Sequence, residues 1–579
     1  MRGEGLSAVA ISALVLALTT GQAQGQALER NIAPGPREAA PKPLLTPITP
    51  EAQDDTPLGP ALKGLELLDA ASTAPPEIPL GIDYSNARIK HPRRLARRLK
   101  VFLGKPISRK ILSEIQAEIV ELYRKQGRPF VSVYYPPQDI TGGGILVRIA
   151  PFRLGAKTIA GAGEAQAKAI ASAIRARTGA EIDAPKLEED LTWLNHAQFS
   201  QVSAVFSPGR TTGQTDLALN VQSQNPWSLF AGWANSGSSA TGYDRYLTGI
   251  EIGNLIRSGS LLSYEHTSSG DVWDKGDQSF SHDHHLRYAS NSLVASLPLA
   301  PRQDLTISID AIETEGAEQV FDLVTSTEEA GLVYRSALSN LSRLPGDLSL
   351  GLEMRSQLRD TFFGAVSVVK TPVVVMQGLA GWSVGGYAFG GTETFSTTLR
   401  YSPGGQGGRN SDDAFASFTR GRVLSSSYVY GQANWSGDFP VCRGWRYTPQ
   451  VSVQISDHAL LNTEQMAIGG LQAVRSYGYD DQSYDSAIIS RNQVRAPPIN
   501  GPRLAALPSS FSPFVFLDAG YGWNHENSGI ARVAGTGFGT DLQIGKYISA
   551  GATAAFALTN ASFTHEGHFK VLGHVTFNY

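Results

Sequence analysis

From Trp227 onward the chain alternates apolar and polar residues one by one. Leu305, Ile307, Ile309 and Ala311 alternate with Thr306, Ser308 and Asp310. Leu348, Leu350, Leu352 and Met354 alternate with Ser349, Gly351, Glu353 and Arg355, and Val451, Val453 and Ile455 with Gln450, Ser452, Gln454 and Ser456. In the final stretch Phe569, Val571, Val575, Phe577 and Tyr579 share one face, with Lys570, His574, Thr576 and Asn578 on the other. A period of two is that of a β-strand with unlike faces. Turn signals such as Leu344–Pro345–Gly346–Asp347 punctuate the strands. The polar faces suit a wet lumen, and a closed barrel pairs every backbone N–H and C=O, the condition for β-structure in lipid. The expectation for residues 227–579 is an antiparallel transmembrane β-barrel rather than a soluble sandwich.

Ahead of that array the period is mixed. Gly64–Asp69 and Ile78–Tyr84 are short apolar stretches, and Leu95, Leu99, Phe102 and Leu103 form a helical stripe. A second helix opens after Ser108, an N-cap residue type, with the stripe Ile111, Leu112, Ile115, Ile119, Leu122, Tyr123. Gly127–Arg128–Pro129 stops it. Phe130–Tyr135 and Ile145–Phe152 read as strands around the turn Thr141–Gly144. The order then returns: a strand over Phe152–Ile159, helices over Ala165–Arg177 and Ala184–Ala197, strands over Val202–Phe206 and Leu217–Val221. Repetition of strand-helix-helix-strand-strand predicts two small α+β modules, residues 63–151 and 152–226.

The N-terminus changes the picture by setting a compartment. Arg2 followed by the apolar run Leu6–Leu18 and small residues at Gly21/Ala23 and Gly25/Ala27 reads as a signal peptide over residues 1–27. Residues 28–62 carry Pro at 34, 36, 41, 43, 47, 50, 57 and 60, and are expected to form an extended linker that is also the candidate for a plug segment. Composition then excludes classes. Charged residues are 17% of the chain, too few for a disordered protein, and there is one Cys, so no disulfide within the chain. Cys442 is expected to be a packed residue rather than a catalytic thiol. A net charge of −3 gives no nucleic-acid signature.

Three stretches carry a resemblance. Pro137-Gln138-Asp139-Ile140 is followed by Gly144-x-Leu146. Glu464-Gln465-x-x-Ile468-Gly469-Gly470 is followed by Val474-Arg475-Ser476-Tyr477. The third is Phe516-Leu517-Asp518-Ala519-Gly520. In this order they resemble the end of a first POTRA domain, the sixth extracellular loop and the Phe-x-Asp-x-Gly strand of the TpsB transporters of two-partner secretion (ShlB/FhaC/HecB-like hemolysin secretion/activation proteins), within the Omp85 superfamily. The resemblance implies two POTRA domains followed by a barrel of about 16 strands. It implies that the loop folds back into the barrel and that Arg475 meets Asp518 on the inner wall. A guanidinium fork matches a carboxylate, and a lumen restricts water. The expected site is therefore Val474, Arg475, Ser476 and Tyr477 in the loop with Phe516, Asp518 and Gly520 in the wall. Ser476 departs from the family, which has Gly there. A positive φ at that position would cost Ser more than Gly.

The resemblance also implies the work. POTRA domains in the periplasm would capture an unfolded TpsA-type exoprotein, an adhesin or cytolysin, and the barrel in outer-membrane lipid would export it. The competing readings are an Omp85-type outer-membrane protein insertase and a passive porin. No Gly-x-Ser-x-Gly, Walker or His-Glu-x-x-His pattern occurs, so no catalysis, cofactor or metal is expected. Gly535-x-Gly537-x-Gly539 has no helix after it and reads as small residues in a barrel strand. His282, His284 and His285 around Asp283 read as a polar strand or loop. The basic run Arg93, Arg94, Arg97, Arg98, Lys100, Lys105, Arg109 and Lys110 reads as a solvated face.

Overall fold

The computed structural model describes residues 52–579 apart from 71, 88, 90, 212, 276–285, 319, 365, 480, 505–506 and 526–528. The expected signal peptide, residues 28–51 of the expected linker and the His282–His285 cluster lie outside the described residues. The described chain forms two compact units, divided between Asn225 and Pro226.

The first unit holds two modules. In the first, the strands lie in the order Gly81–Asp83, Gly64–Asp69, Gly144–Pro151, Val131–Tyr134. Helices Pro92–Leu99 and Arg109–Lys125 supply the apolar stripes read from the sequence: Leu95, Leu99, Ile115 and Ile119 are wholly buried in its core. Ser108 caps the second helix by accepting the Ile111 N–H at 3.3 Å. The helix ends at Lys125, and Gly127 follows at φ +77°. The basic run lies mostly in solvent, with Arg98 paired to Glu118 at 2.7 Å and Lys110 to Asp55 at 3.7 Å.

The motif Pro137–Leu146 is structural. Gln138 copies a strand partner: its Oε1 accepts the Leu146 N–H at 2.6 Å and its Nε2 donates to the Leu146 carbonyl at 2.9 Å. Asp139 Oδ1 closes the turn by accepting from the Thr141 N–H (2.9 Å) and hydroxyl (2.7 Å). The backbone bond and then the hydroxyl bond hold its carboxyl below the usual range.

Three readings of this unit differ in the structure. The end of the presumed linker is not free: Pro57–Ala61 pairs antiparallel with Pro106–Ser108. Prolines are tolerated because this is a two-stranded edge pairing. The first helix of the second module is Glu164–Ala173 and stops short of Arg177. Asp190, fully buried, takes the Arg175 N–H and its Nε, each at 2.8 Å, and so draws the chain out of the helix. The next helix, Ala184–Leu194, also ends early. The three-stranded sheet has Gln214–Ser223 between Arg153–Ala160 and Ser200–Pro208, over a core that includes Leu154, Ile170, Leu187 and Leu219.

The second unit is a closed antiparallel barrel of 16 strands among the described residues, from Trp227–Ala234 to Phe569–Asn578. The twelfth is interrupted: Ser486–Arg495 and Ile499–Asn500 both pair with Ser509–Trp523. Phe230 to Ala234 pair with Asn578 to His574 and close the ring. The alternation resolves as a wall with an apolar outside. Leu352 is 67% exposed and Val571 52%, whereas Gln357, Gln377 and Gln454 on inward positions are nearly inaccessible. Gly535, Gly537 and Gly539 lie in the strand Ile530–Ile544. Cys442 corrects the expectation of a packed residue. It sits exposed in the turn between Ser427–Pro440 and Arg446–Ser456, beside Arg443 and Gly444, whose positive φ values turn the chain into solvent.

Candidate functional site: a loop tied across the barrel interior

Residues 457–485 connect the eleventh and twelfth barrel strands. This segment is largely buried: Leu460, Leu461, Ile468, Val474, Ser476, Tyr477, Asp481 and Asp485 have essentially no exposed surface. Barrel side chains facing inward are its surroundings.

The strand Ser509–Trp523 presents Phe514, Phe516, Asp518 and Gly520 inward, with Val515 and Leu517 outward. Arg475 meets this ladder. Its Nε donates to Asp518 Oδ2 at 2.8 Å, its Nη2 to Oδ1 at 2.9 Å, and its backbone N–H to Oδ2 at 3.3 Å. Nη1 donates to Gln493 Oε1 at 2.7 Å on the neighbouring strand. The guanidinium carbon lies 3.8 Å from the Phe516 ring centre, so the plane that grips the carboxylate also stacks on the aromatic. Asp518 is wholly buried and Arg475 is 5% exposed, which removes the solvent screening that weakens surface pairs.

Each neighbour has a steric reason. Gly520 makes room for Val474: a Cβ there would stand 3.1 Å from Val474 Cγ2 and 2.9 Å from Val533 Cγ2. Gly537 lies opposite Phe516 in register, and a Cβ would fall 2.7 Å from that ring. Gly539 stands in the same relation to Phe514. The Tyr477 hydroxyl lies 2.8 Å from the Ala534 carbonyl and 2.7 Å from that of Thr559, and accepts the Thr559 N–H at 3.2 Å.

Ser476 does not adopt the left-handed backbone considered for it. Size limits the position instead, since the Ser476 side chain faces Gly535. The Ser476 hydroxyl is buried with no hydrogen-bond partner among the described residues. All seven residues expected at the site thus lie at this one contact between loop and wall.

Other members were missed. Glu464 is buried against Arg355, with Tyr430 Oη donating to it at 2.6 Å. Asp481 accepts the backbone N–H groups of Phe563 (2.9 Å), Thr564 (2.8 Å) and Gly478 (2.6 Å). Asp485 pairs with Arg422 at 3.1 Å and accepts the Leu460 N–H at 2.9 Å. Asp457, Glu464, Asp480, Asp481 and Asp485 in a segment rich in buried apolar residues were the available signal. Chemically, the arrangement holds a polypeptide inside a polar barrel by ion pairs and capped carboxylates. Among the described residues no His/Cys/Asp/Glu group is disposed to hold a metal.

Comparison with known proteins fits this geometry. The family model "Haemolysin secretion/activation protein ShlB/FhaC/HecB" matches residues 213–340 and 368–542, and "POTRA domain, ShlB-type" matches 80–151. The solved structure of CdiB from Escherichia coli is similar at a TM-score of 0.68 and 17% identity, over 100% of this chain and 99% of that one. CdiB from Acinetobacter baumannii gives 0.57 and 17%, over 99% and 98%. At such identities these structures speak to the fold. The heme/hemopexin transporter protein HuxB of Haemophilus influenzae (strain 86-028NP) is 25% identical over 177 residues, 30% of this chain. The match spans 31% of that relative, under a third of its length.

Proposed function

The chain belongs to the haemolysin secretion/activation family ShlB/FhaC/HecB, and from that premise we propose that it exports a large unfolded exoprotein across the outer membrane. The observation that carries this reading is the loop tied across a polar-lined barrel by Arg475 and Asp518. A closed wall with an inner strap is a gated passage, and its polar lining offers little for an extended chain to stick to. The α+β modules supply capture from the periplasm. Arg153–Ala160 and Ser200–Pro208 are the outer strands of their sheet. Such edges bind extended polypeptide by backbone hydrogen bonds that tolerate varied sequence. The partner is a TpsA-type exoprotein, an adhesin or a cytolysin, and the work is transport without catalytic chemistry. Folding of the cargo outside gives direction, because return then requires unfolding.

Deleting the gene and comparing culture supernatant with outer-membrane proteins by mass spectrometry tests the reading. Loss of one or a few large exoproteins with the outer membrane unchanged is the expected result. A broad loss of barrel proteins would replace the exporter with an insertase, and a defect confined to small-solute uptake would replace it with a porin.

A further inference from the structure

The loop has a second attachment, on the strands that precede it in the ring. Its tip, Arg475 to Tyr477, is tied to the twelfth, thirteenth and fourteenth strands and to the Thr559 turn. Its stem is tied through Glu464 to Arg355 on the seventh strand, to Gln377 on the eighth (3.0 Å) and to Tyr430 on the tenth (2.6 Å). Together the two attachments run from the seventh strand to the fourteenth of the closed ring of 16. Ala459, Leu460 and Leu461 pack just before Glu464, against Phe415 and Phe418 of the helix Asp412–Phe418 and against the wall.

The two attachments differ in what their release would leave behind. Among the described residues the hydrogen bonds to the buried Asp518 carboxylate come from Arg475, and Arg491, its partner across the strands, donates to Gln450 instead. Removing the tip would leave that carboxylate without them. The stem is different, because Arg355 also faces Glu329 (3.3 Å) and Glu353 (3.1 Å), and Arg400 faces Glu353 (3.0 Å). Once Glu464 has gone, Arg355 still stands against Glu329 and Glu353, and Arg400 against Glu353. Breaking a buried pair is costly where it strands a charge.

We propose that Glu464 is a positioning residue that latches the loop stem against the seventh and eighth strands and lets go before the tip does, with Ala459–Leu461 as the hinge. Release clears the lumen beside the seventh and eighth strands while Arg475 still holds Asp518. The proposal rests on the reading of the loop as a gate for export.

Single-channel recording of the full chain in planar bilayers tests it. Heat-modifiable migration on gels checks that each variant has a folded barrel. Glu464→Gln keeps the shape and removes the charge, and should raise open-state occupancy by roughly tenfold, the scale of a hydrogen bond to a charged group. Arg355→Gln sets Glu464 against Glu329 and Glu353 and should open the channel further. Glu464→Gln placed in that background should then lower the occupancy. This reversal of sign would not follow from a merely structural role. If Glu464→Gln fails to insert, Glu464→Asp keeps the charge, shortens the reach and is expected to open more often as well. Wild-type occupancy in a folded Glu464→Gln barrel, or additive effects of the two substitutions, would overturn the latch. If the reversal is seen but deletion of the gene leaves the exoproteins unchanged, the latch stands and the export reading falls.

Discussion

The helix Arg109–Lys125 and the strand Asp347–Phe363 are both amphipathic, yet they point their faces opposite ways. The helix turns Ile115 and Ile119 into a core and leaves Arg109 in water. The strand turns Leu350, Leu352 and Met354 outward and holds Glu353 and Arg355 within. The rule in both is that each face meets the medium that solvates it. Order inside the module therefore comes from close-packed hydrocarbon. Order inside the barrel comes from paired charges and satisfied hydrogen bonds. The two regions should fail differently, the first by loss of volume and the second by loss of a partner.

The sharpest break is at the tip of the loop. Arg475→Ala leaves Asp518 buried without its partner, a loss of about 3–5 kcal/mol in the loop's attachment. Secretion should stop while the barrel remains inserted and heat-modifiable. Normal secretion by this variant would remove the loop from the mechanism. In the module, Ile119→Ala should cost about 2–5 kcal/mol by opening a cavity, seen as early denaturant unfolding with barrel migration unchanged. The mirror substitution, Leu352→Arg, should cost about 2–4 kcal/mol in the barrel by placing a charge on the lipid face. A soluble sandwich with this strand at its surface would tolerate it, so a neutral result in lipid refolding would break the comparison.

A milder effect depends on pH. Glu66 is buried in the first module; burial pushes its carboxyl above the ordinary 4.5, opposed by the Asn86 side-chain bond. The folded module thus holds this proton more tightly than the unfolded chain. The contribution is whole below pH 4.5 and is lost as pH rises through the folded value. Glu66→Gln stays neutral and should remove that loss, raising module stability at neutral pH relative to wild type. Equal stability of the two proteins at pH 5 and pH 8 would refute the burial argument. Smallest of all is Ser476→Gly, which deletes an unpartnered hydroxyl and should change loop attachment by less than about 0.5 kcal/mol, with secretion unaltered.

Much of this was legible in sequence because periodicity is local. The stripe of Arg109–Lys125, the Ser108 cap and the alternation around Leu352 each needed only near neighbours. Arg475 and Asp518 are far apart in sequence and were joined through a resemblance, since spacing alone does not bring a loop to a wall. Glu464 opens the stretch that carries the resemblance, yet nothing in that stretch joined it to Arg355. Nothing in the stretch around either residue says that the loop crosses to the seventh strand. The early end of the helix at Ala173 escaped for the same reason, because Asp190, which ends it, lies in another helix. Cys442 was misjudged from residue type, although the neighbouring Arg443–Gly444 marks a turn.

The contact between Ser476 and Gly535 also has a historical side. A Cβ at Gly535 would fall 1.7 Å from Ser476 Oγ and 2.8 Å from its Cβ, so the two positions share one small volume. A lineage that placed Ser in the loop could do so only while the wall kept Gly. Gly in the loop would remove that clash and ease Ala in the wall. Across relatives, the two sites should have exchanged bulk in that order, and a descendant with side chains enlarged at both is a combination that selection should have removed.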